Sequence, residues 1–78
     1  MTYKEFRSDV LKEASNRPNY IRFGQSVFNY IDSKYGVART VQFVDGVDCF
    51  YDDNKVEEFI KLSYNHAKET CSWTDKSQ

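Results

Sequence analysis

A chain of 78 residues holds one domain, which at this size buries only about 60% of the surface its unfolded form exposes. Aromatics at 17% within a hydrophobic fraction of 40% exclude a disordered chain and make Phe and Tyr the main carriers of burial. Eleven Lys and Arg against twelve Asp and Glu leave a net charge of -1, so no field gathers polyanions and nucleic acid is not an expected partner.

Residues 1–6 lack the apolar run of a signal peptide, and no segment has the roughly 18 apolar residues that would span a bilayer. A cytoplasmic protein without membrane contact is therefore expected. Cys49 and Cys71 read as free thiols, Cys49 being the buried one, and a single His66 without a C-x-x-C or H-x-x-x-H pattern leaves too few ligands for zinc. No metal and no cofactor is expected.

Thr2 and Glu5 have the spacing of a capping box, and Tyr3, Phe6, Val10 and Ala14 recur at helical intervals, which predicts a first helix over residues 3–14. Lys4, Glu5, Arg7, Ser8, Lys12 and Glu13 fall on its other side, and Asp9 is spaced for weak local pairing with Lys12 or Glu13. That side reads as a solvated face without a site. Pro18 then breaks the chain, and Asn19 is placed to cap the next helix.

Residues 22–35 predict the central helix. Phe23, Val27, Phe28, Tyr30, Ile31 and Tyr35 cover an arc of about 160°, wide enough to contact two neighbouring helices, and Gly36 is placed as the left-handed residue past its end. Gly24 in its first turns permits close approach by a neighbouring aromatic ring or a ligand, with helix packing the preferred account. Arg22, Gln25 and Asn29, at i, i+3 and i+7, form a narrow polar stripe of guanidinium and amide groups.

Local rules disagree over residues 37–47. Thr40 to Val44 is rich in β-branched residues and Asp45-Gly46 is a hairpin signal, but pairing would set Phe43 against Asp48 and Gln42 against Cys49, leaving neither face apolar. A short helix through Val37, Ala38, Val41 and Gln42, ending before Asp45-Gly46, buries a compact set and is the preferred reading. Asp52 then caps the last helix, with Tyr51 and Val56 as a hydrophobic staple, and Val56, Phe59, Ile60, Ser63, Tyr64 and Ala67 trace its buried face to about Lys68. Residues 69–78 are expected to fray unless Trp73 folds back.

Asp45, Asp48, Asp52 and Asp53 do not follow EF-hand spacing, and turn formation and capping explain all but Asp48, for which Arg22 or Arg39 is a suitable bidentate partner. Cys49 with His66 is the one pair that offers a nucleophile and a base, and a core thiol with a surface His is the preferred account. Arg17, Arg22, Lys34 and Arg39 with Tyr20 and Tyr35 would make a basic aromatic surface if they gathered, a weak signal in a chain without net positive charge.

Arg22-x-Gly24-Gln25-x-x-Phe28-Asn29, followed by Asp48-Cys49-Phe50-Tyr51-x-Asp53 and Val56-x-x-Phe59-Ile60, resembles a pattern in small proteins of bacteria and their phages, in which the second stretch reads D-P-F-Y-x-D. Cys49 stands here where Pro is usual, and Asp45-Gly46-Val47 replaces a G-T turn. The resemblance brings no activity with it. It implies a helical segment over residues 37–43, and it groups Arg22, Gln25, Asn29, Asp48, Tyr51 and Asp53 as one set.

The expected molecule is a single all-α domain, residues 1–78, of three main helices and one short one, with a two-stranded hairpin around Asp45-Gly46 (α+β) as the alternative. The expected function is that of a non-enzymatic accessory or regulatory protein contacting another protein or itself, of phage or mobile-element type, for instance an inhibitor of a host protein. The other reading is a small-ligand or nucleotide-binding module using Arg22, Gln25 and Asn29 with Arg39 as a second cation, because guanidinium forks suit phosphates. The stripe itself reads more as an internal clasp, in which Arg22, Gln25 and Asn29 hold Asp48, Tyr51 or Asp53, than as an exposed recognition surface; nucleic-acid binding ranks third and catalysis last.

Overall fold

The computed structural model describes residues 1–70, and it is all-α. Helix α1 (Tyr3–Ser15), α2 (Phe23–Lys34) and α4 (Val56–Thr70) are the main helices; α3 (Ala38–Thr40) is the short one and runs directly into a π-helical turn over Val41–Asp45. No strand forms among the described residues, so the hairpin alternative does not hold. Gly46 ends the π turn at φ 70°, as Gly36 ends α2 at φ 71°. The Asp45-Gly46 signal thus marks a helix end.

The capping box forms as expected: Thr2 N–H donates to Glu5 Oε1 at 2.8 Å and Glu5 N–H to Thr2 Oγ1 at 3.2 Å. Asn19 does not cap α2, because Ile21 N–H turns back to the Pro18 carbonyl and the helix starts only after Arg22. Asp52 caps the chain ahead of α4 by accepting from Asn54 N–H at 3.0 Å, although a 3-10 turn over Asp53–Lys55 comes before the α-helix itself. Tyr51 is 76% exposed and meets Phe50 edge to face, so it does not act as the expected staple over Val56. Helix α4 runs two residues past the expected end at Lys68, and the expectations for Cys71 and Trp73 lie outside the described residues.

The core is built where α1, α2 and α4 meet. Phe6, Val10 and Ala14 from α1, Val27, Phe28 and Ile31 from α2, and Val56, Phe59, Ile60, Tyr64 and Ala67 from α4 are buried, with Val37, Ala38, Val41 and Cys49 closing one end. Phe6 lies 4.8 Å from the Tyr35 ring and 5.6 Å from the Tyr64 ring, so one side chain ties all three main helices together. Arg7 makes a two-pronged pair with Glu57 at 2.8 and 2.7 Å, joining the outer edges of α1 and α4.

The solvated side of α1 holds a contact its sequence does not announce. Asp9 Oδ2 accepts hydrogen bonds from the Tyr30 hydroxyl (2.8 Å), the Tyr35 hydroxyl (2.8 Å) and Lys34 Nζ (3.0 Å), all from α2 or its end, in place of the local pairing with Lys12 or Glu13. Partial burial alone would raise the Asp9 carboxyl, but the bonds from Tyr35, Tyr30 and Lys34 outweigh it and hold the group below its usual range. A depressed folded-state value means that Asp9 stabilises the fold above the ordinary carboxylate range and that this contribution is lost as pH falls through the folded value. Asp9→Asn is therefore expected to cost about 1–2 kcal/mol at pH 7, with the gap to the native chain closing at acidic pH where both are uncharged. Urea titrations at pH 7 and at about pH 2 check this; a gap that persists unchanged in acid would show that the charge is not what matters.

Candidate functional site

The second half of the chain is attached to the start of α2 by a clasp centred on Gly24. Arg22, the N-cap residue of α2, offers no side-chain cap to its own helix. The Asp53 carboxylate, 29 residues away, accepts from Gly24 N–H at 2.8 Å and so supplies a cap from across the fold, at the helix end where negative charge is favoured. Cys49 Sγ donates to the Gly24 carbonyl at 3.3 Å, and a Cβ at position 24 would overlap the Cys49 carbonyl oxygen. The close approach implied by Gly24 is therefore backbone against backbone.

Of the three stripe residues, only Arg22 reaches the loop, donating to the Tyr51 carbonyl at 3.3 Å. Gln25 is half-buried and Asn29 exposed, and neither hydrogen-bonds to the loop among the described residues. Asp48 takes Gln42 Nε2 and Phe50 N–H, each at 2.8 Å, in place of the arginine expected for it. A glutamine amide six residues back, in the π turn, suffices because Asp48 is only half-buried.

The loop held by this clasp forms one wall of an open groove of about 290 Å³. Phe28 and Phe50, whose rings meet edge to face at 5.5 Å, lie at its base, and Arg39, Gln42, Phe43, Asp48 and Tyr51 surround them. Three residues singled out in the sequence, Arg39, Asp48 and Tyr51, thus come together, whereas Gln25 and Asn29 do not line the groove and Asp53 serves the clasp.

Two of the lining side chains are apolar and exposed, Phe43 by 79% and Tyr51 by 76%, and Val44, next to Phe43 in the chain, is exposed by 71%. The π turn produces part of this. Val41 is fully buried, and in an unbroken α-helix Val44, three residues on, would share its face; the wider i to i+5 turn carries Val44 out to solvent. Sequence reasoning passed over Phe43. The available signal was its place two residues after Val41, on the polar side of a helix whose apolar side is Val37, Ala38 and Val41.

The pair considered for nucleophilic chemistry, Cys49 and His66, is engaged elsewhere, each with its own partner. Burial first, and then the Asp48 and Asp53 carboxylates, push the Cys49 thiol up to about 12, leaving a neutral and shielded sulfur. His66 Nε2 meets Asp45 Oδ2 at 2.7 Å and links α4 to the end of the π turn. The scattered cations do not gather either: Arg17 binds the Ile21 carbonyl and lies over Phe23, and Lys34 belongs to the Asp9 cluster. Among the described residues no group of three or more His, Cys, Asp and Glu is placed to hold a metal ion, and no helix is long and apolar enough to cross a membrane. No family model, curated protein or solved structure matches the chain.

Proposed function

We propose that this chain is a non-catalytic accessory or regulatory protein that works by contacting another protein through the face formed by Phe43, Val44 and Tyr51. The observation that carries this reading is the exposure of Phe43 and Tyr51 on one groove, with Val44 exposed next to Phe43 in the chain, in a domain of a size that needs its large side chains for the core. The π turn strengthens it, since such turns are energetically poor and concentrate at functional places. An acid-base or nucleophilic role finds less support, because Cys49 is a buried neutral thiol and His66 is engaged by Asp45. The likeness of residues 22–60 to small bacterial and phage proteins supports a mobile-element setting, in which the contacted protein belongs to the host.

Phe43→Ser is the direct test. Because Phe43 is exposed, the substitution is expected to leave stability within about 0.5 kcal/mol while abolishing the contact. Immobilised native and Phe43→Ser chains, challenged with a lysate of the source cells and followed by light scattering of the free protein, check it. The reading fails if the native chain is a strict monomer that retains nothing the variant does not.

A further inference from the structure

We propose that the groove receives a protein segment that sets a carboxylate on Arg39 and an apolar side chain between Phe43 and Tyr51, so that the partner is an acidic, apolar surface of a different protein. This rests on the contact-face reading above and adds the chemistry of the occupant. Charge complementarity selects this occupant. Every carboxylate from Asp45 to Asp53 is already an acceptor inside the fold: Asp45 for His66, Asp48 for Gln42 and Phe50 N–H, Asp52 for Asn54 N–H, and Asp53 for Gly24 N–H. Arg39 lines the same groove, is exposed, and makes no hydrogen bond or ion pair among the described residues. The groove therefore presents one cation without an internal partner, Arg39, beside apolar rings, while its carboxylate, Asp48, keeps its charge but is already held by two donors. A guanidinium in that setting is the fork that a carboxylate fits, and aromatic and Arg side chains are the residues that dominate protein contacts.

The same inventory disfavours two other occupants. A second copy related by a two-fold axis would meet this patch with itself, bringing Arg39 toward Arg39, with the groove's one carboxylate, Asp48, already held by Gln42 and the Phe50 N–H. A nucleic acid strand needs several phosphate contacts, whereas among the described residues the groove offers a single free cation, beside Asp48, in a chain of charge -1.

An array of synthetic dodecapeptides tests this, each carrying one Phe, Leu or Trp flanked by Asp or Glu, by Ser, or by Lys or Arg, and probed with the native chain and with Arg39→Gln, Arg39→Glu and Phe43→Ser. The native chain is expected to retain acidic peptides at least tenfold better than their basic counterparts. Arg39→Gln should erase that preference, Arg39→Glu should reverse it, and Phe43→Ser should lose all retention, with unchanged far-ultraviolet circular dichroism confirming that each variant is folded. Retention that depends on Phe43 but ignores charge and Arg39 would overturn the acidic partner and leave the contact face standing. Self-association that Phe43→Ser abolishes would assign the groove to a second copy, and binding of oligothymidylate that Arg39→Gln abolishes would assign it to a nucleic acid; either overturns the proposal. If no peptide is retained and the chain neither self-associates nor binds the oligonucleotide, both the proposal and the contact-face reading fall.

Discussion

Gly24→Ala is expected to destabilise this protein by about 3 kcal/mol, although alanine in place of glycine within a helix ordinarily gains up to about 1 kcal/mol. The added methyl overlaps the Cys49 carbonyl oxygen and lies 2.8 Å from Asp53 Oδ1. The first of these is backbone, anchored by the Cys49 thiol on the Gly24 carbonyl and by the Asp52 amide on the Cys49 carbonyl, so it cannot move aside by a change of rotamer. Overpacking of this kind costs about 1–3 kcal/mol, and displacing the loop weakens the hydrogen bonds through Gly24 and Cys49 at about 1 kcal/mol each, which together exceed the propensity gain. Gly36→Ala and Gly46→Ala are the controls, since neither position has an atom within 4 Å of the added methyl and the expected cost there, about 1–2 kcal/mol, is backbone strain alone. Urea denaturation of the three variants ranks them. Gly24→Ala should also weaken any contact made through the groove, because Tyr51 belongs to the loop that moves. A Gly24→Ala chain as stable as the native one would mean that the loop does not lie against α2.

Phe6→Ala is expected to cost about 3–5 kcal/mol, on the scale of the whole stability of a domain this size, and to leave the chain largely unfolded at 37 °C. Phe6 is fully buried, and its ring meets Tyr35 beyond α2 and Tyr64 on α4, so its loss opens a cavity where three helices join and none can close in without dragging the others. Phe6→Leu, which keeps most of the volume, should cost about 1 kcal/mol. Thermal melts followed by circular dichroism distinguish the two; near-equal melting temperatures would show that the three-helix junction is not centred on Phe6.

Much of the architecture was legible because its signals are local. The capping box at Thr2 and Glu5, the helical spacing of Phe6, Val10 and Ala14, the broad apolar arc of α2 and the glycine after it all act within a few residues of one another. The choice of a helix over a hairpin before Gly46 rested on the same kind of reasoning, since the helix buries Val37, Ala38 and Val41 together and the hairpin had no apolar face. The groove was legible only in fragments. Arg39, Asp48 and Tyr51 were noticed as chemistry-bearing residues, but Phe43 and Gln42 were not, because their roles depend on the π turn and on where the loop returns.

What the sequence by itself determined is the set of helices, their approximate ends, the buried faces and the presence of something pressed against Gly24. What only the tertiary structure decided is which groups meet: Asp53 as the cap of α2, Asp9 as the acceptor for Tyr30, Tyr35 and Lys34, Arg7 with Glu57, and the loop that sets Tyr51 across from Phe43. The physical reason is range. Helix propensity and capping are settled by neighbours three or four residues apart, whereas these pairs lie 29, 21 and 50 residues apart for Gly24–Asp53, Asp9–Tyr30 and Arg7–Glu57, and they exist only once burial of the core has brought the helices together.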